Sequence, residues 1–432
     1  MLSAEISTPT KTGNQALVRE INLAIILSAL PERAPISRAK LAAVTGLNKG
    51  TVSSLVRELV QARFVHEIGL DTAGAGGRPA IMLELNPRAG CLIGAEVGPD
   101  FISVVLTNFA AKTLWRHREA TAHFSNHEDC LERVVAVIQD ARARAEDDDQ
   151  QILGLGLGVS GLPNVQSTAL PSSQPASQRE VQFRNALERE FSFPVHVDKA
   201  ANLAAVGETY WGAARGCQNV LYLSLGQVLD VAIVVGGHVL PRVHSLAGEV
   251  GHMTLDVDGP ICHCGNRGCW EAFSSESAVI RRVREAIADG KATRLIESAD
   301  GHADALTILE VVQAAQANDA VAIDALKETG KYVGIGLMNL INAFSPEMIV
   351  LGGSLSLASD FLLSEVNREI ERRAALRSRR TPQIRVAAHG PDACVMGGIA
   401  MVYHRILNQP KLTRTSDRPA PDDQSAVREI YD

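Results

Sequence analysis

Glu249-Val-Gly-His252, followed after a short spacer by Cys262-His-Cys-Gly-Asn-Arg-Gly-Cys-Trp-Glu271, is the stretch on which the reading of this chain turns. His252, Cys262, Cys264 and Cys269 offer one imidazole and three thiolates, a set suited to tetrahedral zinc. Cys262 and Cys264 can clasp one ion from a single turn. Gly265 and Gly268 let the loop double back, Cys269 closes the third corner, and His252 ties in the preceding segment. The bland alternative is three buried thiols beside an unrelated histidine. Three cysteines so close together, with two glycines among them, weigh against it. A site with four protein ligands has no open coordination position, so the expected zinc is structural.

The same stretch carries a resemblance. Glu-X-Gly-His with Cys-X-Cys-Gly-X-X-Gly-Cys-X-Glu resembles the signature of the ROK family of bacterial repressors and sugar kinases, and similar landmarks recur from about residue 90 to residue 405. The resemblance implies that the zinc ligands are His252, Cys262, Cys264 and Cys269, and that Glu249 and Glu271 accept hydrogen bonds from sugar hydroxyls. It also implies an α/β body of two lobes, actin-like and hexokinase-like, with the ligand cleft between them. Strands such as Cys91–Val97 and Ile152–Val159 alternating with helices agree with that architecture.

Against this pattern the chain departs at the chemistry. ROK kinases carry Asn-Asp-Ala-Asn where this chain reads Lys199-Ala-Ala-Asn202, so the general base becomes Ala200. Losing a positioned base costs about 10²–10⁴ in rate. The first phosphate loop, Gly-Gly-Thr in the kinases, is Val97-Gly-Pro-Asp100; the second, Gly-Thr-Gly-X-Gly, is Gly226-Gln-Val-Leu-Asp230. Glycines let backbone amides close on phosphate, and Asp100 and Asp230 repel it. No catalytic residue is therefore expected. Lys199 is expected beside Glu249 and Glu271, either neutralising them or meeting an anionic sugar, with Asn202 also lining the cleft.

Upstream, Asn14 to Leu30 has helical apolar spacing (Leu17, Val18, Ile21, Ala24, Ile25, Leu27), with Pro31 and Pro35 as its stop. Ser37 caps a helix Arg38 to Thr45, Gly46 ends it, and Asn48 caps the next, Lys49 to Ala62. Helix, glycine turn, helix is the helix-turn-helix pattern. On the second helix Val52, Leu55, Val56 and Leu59 form an inner stripe; Asn48, Lys49, Ser53, Ser54 and Arg57 are candidates for a major groove. Two strand patterns, from Phe64 and from Ile81, flank Gly76-Gly-Arg-Pro79, a wing whose Arg78 suits a minor groove. This resembles the winged helix-turn-helix head of ROK repressors.

The organisation expected is a DNA-binding domain at 1–85, a ligand-binding body at 86–408, and a disordered polar tail at 409–432. Residues 163–180, rich in Ser, Gln and Pro, read as a loop, and the body's later helices as 277–287, 303–317, 320–344 and 361–374, with a last one from Gly397. Net charge is −7, divided as +2 over 1–85 and −9 over the rest, compatible with a DNA-binding module on an acidic sensor. Cys91, Cys130, Cys217 and Cys394 read as plain small hydrophobes. No apolar run is long enough for a membrane span and the N-terminus lacks a signal pattern, which points to the reducing cytoplasm. The expected partners are double-stranded DNA with a palindromic operator, a sugar or sugar derivative, and a second copy in a homodimer or dimer of dimers. An active sugar kinase and a scaffold with a vestigial cleft are the other readings.

Overall fold

Polar caps set the N-terminal elements of the computed structural model, which describes residues 15–71, 80–121, 127–160, 176–240, 249–298, 306–375 and 381–409. Helix α1 (Gln15–Arg33) is followed by the short strand β1 (Ile36–Ser37) and by α2 (Arg38–Thr45) and α3 (Lys49–Gln61). Ser37 Oγ accepts from the Lys40 amide at 3.3 Å, and Asn48 Oδ1 accepts from the Thr51 amide at 2.7 Å, so each cap satisfies an orphan N–H. Between them Gly46 takes a left-handed φ of 73° and returns its N–H to Ala42 O. Strands β2 (Val65–Asp71) and β3 (Ala80–Leu85) pair antiparallel, and β1 joins β3, giving the order β1-β3-β2. Residues 72–79, with Arg78, lie outside the described residues.

Two readings of α1 need correcting. The helix passes through Pro31 to Arg33, because a proline in the last turn forfeits little of the hydrogen-bond ladder. Its buried face is Leu23, Ile26, Leu27 and Leu30, whereas Leu17, Val18, Ile21 and Ile25 are exposed. The helix is apolar on two sides, and of the stripe read from spacing Leu27 is buried and Ala24 half-buried.

Compact units are Met1–Ala89 with His404–Asp432, and Gly90–Tyr403. Within the larger unit, strands β4 (Cys91–Val97), β5 (Phe101–Asn108) and β6 (Thr113–Ala120), helix α4 (His127–Asp147), strand β7 (Ile152–Val159), helix α5 (Ala176–Glu190), strand β8 (Val195–Lys199) and helix α6 (Ala200–Tyr210) come first. Their sheet runs β6-β5-β4-β7-β8. Then follow β9 (Val220–Leu225), β10 (Leu229–Val235) and β11 (His238–Val239), and helices α7 (Trp270–Ser274), α8 (Glu276–Ala288), α9 (Leu295–Ser298), α10 (Ile308–Gln316) and α11 (Ala320–Phe344). Strand β12 (Met348–Gly352), helix α12 (Ser359–Ala375), strand β13 (Gln383–Val386) and helix α13 (Ala393–Asn408) end the described chain. The second sheet runs β11-β10-β9-β12-β13. Both sheets put two antiparallel strands on one side of the first strand and two parallel strands on the other. Each lobe is thus the same construction, α4 and α5 covering the first core and α8, α10, α11 and α12 the second. Helix α5 starts inside the segment read as a loop. Helix α10 starts at Ile308, five residues later than its spacing suggested, because Thr307 and Glu310 close a capping box there. Helix α13 starts at Ala393, a turn before Gly397.

Helix α13 lies against the first sheet almost without side chains between. Every second residue on one face of β7 is glycine, and a Cβ at Gly154 would stand 2.7 Å from Val402, at Gly156 2.4 Å from Gly398 O, and at Gly158 2.1 Å from Cys394 Sγ. Two strand residues and four helix residues both rise about 6 Å, so the two repeats stay in step. On the other side α6 crosses, where a Cβ at Gly397 would sit 1.7 Å from Leu203 O. Gly156→Ala should therefore force backbone apart and destabilise the body by about 1–3 kcal/mol or more. The check is a lowered denaturation midpoint, and an unchanged midpoint would contradict this packing.

Candidate functional site

The segment from Thr254 to Cys269 folds back on itself through bridges Thr254–Cys269 and Ile261–Arg267. Gly265 and Gly268 take left-handed φ of 89° and 67°, and a Cβ at Gly268 would lie 1.5 Å from Asp256 O. The fold-back brings His252, Cys262, Cys264 and Cys269 together, their ligand atoms all within 4.8 Å of one another. Cys264 and Cys269 sulfurs are 3.7 Å apart, and Cys262 Sγ is 3.7 Å from His252 Nδ1. Tetrahedral zinc–thiolate bonds imply sulfur edges of roughly 3.8 Å, so the set fits an ion of that size. Burial pushes the Cys262 and Cys269 thiols up. Cys264, against the effect of its own burial, is held below the ordinary thiol range by the Asn266 amide. Metal binding would release these protons.

His263, between two of the cysteines, is a residue the sequence reading passed over. Its Nδ1 lies 2.8 Å from Glu271 Oε1, and the carboxylate raises its pKa. Glu271 is buried, and its Oε2 accepts the Leu229 amide at 2.9 Å. Burial would lift this carboxyl; His263 and the Leu229 amide outweigh it and hold it below the usual carboxylate range. Helix α7, which carries Glu271, is fixed by Trp270, whose Nε1 donates to Tyr332 O at 3.0 Å and whose ring fills the space above Gly336. Glu249 stands half-buried at the other end of the knuckle, its side chain with no hydrogen bond or ion pair among the described residues.

Lys199 bonds to β10. Its ammonium pairs with Asp230 on β10 and donates to Val231 O at 3.2 Å, and the residue is 6% exposed. The reason is local: Lys199 ends β8 as the N-cap of α6, and the face of α6 that packs on the second sheet aims it at β10. Neither Glu249 nor Glu271 is among these partners, so the expected neutralising contact is replaced by one to Asp230. Asn202, one turn on, donates to Asp198 Oδ1 at 2.9 Å, and Asp198 also accepts the Lys199 amide. Ala200 is buried between these groups.

The turn Val97–Asp100 closes on itself. The Gly98 amide donates to Phe101 O at 2.8 Å, Phe101 fills the space beside Gly98, and Arg118 lies over that ring at 3.7 Å. Asp100 Oδ2 accepts from Gln227 Nε2 at 3.0 Å. At the Gly352-Gly353 turn that ends β12, Gly353 has φ 80° and no room for a Cβ, which would sit 2.2 Å from Leu225 O; here the glycine serves packing. Glu96, buried in β4, was also missed in the sequence: burial, opposed by Arg118, pushes its carboxyl up to about 7.

In the N-terminal unit Val52, Leu55, Val56 and Leu59 are buried, while Lys49, Ser54 and Arg57 are exposed and Ser53 is half-buried. Asn48 is exposed, with its oxygen engaged as the cap.

Residues 92–405 match the sequence profile of the ROK family. The chain belongs to that family. The xylose repressor of Caldicellulosiruptor bescii is 30% identical over 399 residues, covering 92% of this chain and 99% of that protein. A solved ROK family transcriptional regulator, described as a homolog of the E. coli MLC protein, superposes with a TM-score of 0.75 at 23% identity, covering 91% of this chain and 97% of the other. A ROK family glucokinase from Streptomyces griseus, in complex with glucose and AMPPNP, superposes with a TM-score of 0.60 at 27% identity, covering 72% and 99%. These likenesses place the mixed α/β architecture of the body in the ROK fold.

Within this ROK site Glu271 supports the cleft strand directly. Glu271→Ala should leave the buried Leu229 amide without its acceptor, at a cost of about 1–3 kcal/mol. Hydrogen exchange at Leu229 should accelerate accordingly, and unaltered exchange there would show that the bond carries no load.

Proposed function

We propose that this ROK-family chain is a sugar-responsive, DNA-binding transcriptional regulator, acting as a repressor and not as a kinase. The observation that carries the reading is coverage. The C. bescii xylose repressor aligns over 92% of the chain, the glucokinase structure over 72%, and the difference is the size of the N-terminal unit. In that unit Asn48, Lys49, Ser53, Ser54 and Arg57 line the outer side and leading end of α3, the arrangement a recognition helix needs in a major groove. Arg78 is assigned to an adjacent minor groove or phosphate. A palindromic operator and a homodimer or dimer of dimers complete this reading. No described helix is long and apolar enough to cross a membrane, and a DNA-binding regulator of this kind works in the cytoplasm.

The cleft is assigned to a neutral sugar. An anionic ligand loses its rationale once Lys199 is committed to Asp230, whereas Glu249 keeps a carboxylate available to accept from hydroxyls. Glu271 and Asn202 shape the site from behind. The loss of phosphoryl transfer rests on Ala200 at the position of the base and on a first phosphate loop whose Gly98 amide is already bonded within the chain. Zinc is the ion assigned to His252, Cys262, Cys264 and Cys269, where it would pin the turn that Glu249 opens to the helix of Glu271.

Duplexes selected from a random library by the full chain provide the operator. Against them Arg57→Ala should lose binding by about 1–3 kcal/mol per base contact and relax sequence preference. Arg78→Ala should weaken binding with preference kept. Both variants binding as tightly as the native chain at fixed salt would refute the α3 assignment. Metal analysis should find one zinc per chain, and Cys264→Ser should strip it and destabilise the body. A zinc-free chain of normal stability would refute the metal assignment.

A further inference from the structure

Four polar residues at which this chain departs from the kinase pattern are bonded in pairs. Lys199 stands where the kinases have asparagine, Asp100 belongs to the altered first phosphate loop, and Gln227 and Asp230 to the altered second. Lys199, at the end of β8 in the first sheet, pairs with Asp230 on β10 of the second and reaches Val231 O at 3.2 Å. Asp100, in the turn between β4 and β5 of the first sheet, accepts from Gln227 in the turn between β9 and β10 of the second, at 3.0 Å. Four of the departing residues thus resolve into two bridges, and both bridges join the first lobe to the same hairpin of the second.

We infer that these four side chains form a built-in clamp between the lobes, taking over the linking role that a nucleotide has when phosphate loops from two lobes close on it. The clamp has an inner and an outer bond of different strength. The inner pair is nearly dry, with side chains 8% and 16% exposed, and Asp230 is further fixed by accepting the Val231 amide at 2.9 Å. Removing one partner leaves a charge stranded where water is scarce. The outer bond, Gln227 to Asp100, joins exposed residues and contributes less. It is aimed by the chain on both sides: the Asp100 carbonyl accepts the Thr121 amide at 2.9 Å, and the Gly226 carbonyl accepts the Glu276 amide at 2.9 Å.

The hairpin so clamped is the one that Glu271 holds through the Leu229 amide. Force on the sugar side of the cleft and force on the former nucleotide side therefore meet on one strand, β10. A ligand that repositions Glu249 and Glu271 works against the clamp without ATP as a second ligand. This consequence rests on the regulator reading above, whereas the clamp itself does not.

The test uses the full chain with neither sugar nor DNA, so its outcome is independent of whether the regulator reading survives. Hydrogen exchange is followed by mass spectrometry in the segments Val195–Lys199 and Leu225–Val235. In Lys199→Met and in Asp230→Asn, exchange in both segments should rise by about tenfold, the size of a typical coupling between residues in contact. In the reversed pair, Lys199→Asp with Asp230→Lys, it should return to within about threefold of the native rate. Gln227→Glu, an exposed change that sets a carboxylate against Asp100, should loosen Leu225–Val235 by about threefold while the thermal midpoint stays put. That variant folds even if the buried ones do not. Native exchange in the single variants, or a reversed pair as loose as either single, would overturn the clamp. So would Gln227→Glu exchanging at the native rate.

Discussion

Backbone running against backbone is the constraint on which the rest of the body depends. Alternate glycines of β7 receive α13, and Gly397 of α13 receives α6, with no space for a methyl group at any of these contacts. Because α6 cannot shift away from that crossing, the end of β8 and its Lys199 are held against β10. The ion pair to Asp230 follows from where α6 is forced to lie, and so does the burial of Ala200 at the same helix end. Dispersion and exclusion of water, spread over many close contacts, place the few charged groups that the cleft uses.

The knuckle plays a complementary part on the far side of the cleft. Its ligands come from both ends of a loop whose two left-handed glycines permit the fold-back, so an ion there would fix two segments at once. Glu249 leads in and Glu271 leads out, and Glu271 spends both oxygens inside the protein, on Leu229 and His263. The two glutamates are therefore unequal, Glu271 bonded at both oxygens and Glu249 half-buried with no side-chain bond among the described residues.

Much of this was legible in residues. Left-handed glycines and helix caps are local chemistry, and Ser37, Asn48, Gly265 and Gly268 act as their types require; the His and Cys cluster, too, is read from spacing and is brought together by the fold-back. The repeated sheet plan emerges only from the strand pairing. What escaped was decided by tertiary contact. Lys199 has several carboxylates within plausible reach in sequence logic, and only the lie of α6 selects Asp230. Helix α1 is apolar on two faces, and periodicity cannot say which one meets α2 and α3. His263 is easily passed over between two cysteines, and Glu96 sits in an apolar run that gives no reason to expect a buried carboxyl. The start of α10 was recoverable in principle, since Thr307 and Glu310 have the spacing of a capping box, whereas that of α5 lies in composition typical of loops.

The central claim is that occupation of a kinase-derived cleft by a sugar alters the grip of an N-terminal head on DNA, with no chemistry on the sugar. It is tested most directly by fluorescence anisotropy of a selected duplex titrated with the full chain, alone and with D-xylose, D-glucose or N-acetylglucosamine, each with and without ATP and magnesium. The account predicts that one neutral sugar shifts DNA affinity by about 5–150-fold, the usual range for coupled sites, and that ATP changes nothing. Sequence-selective binding that ignores every sugar, or an effect that requires ATP and leaves a phosphorylated sugar behind, would contradict it.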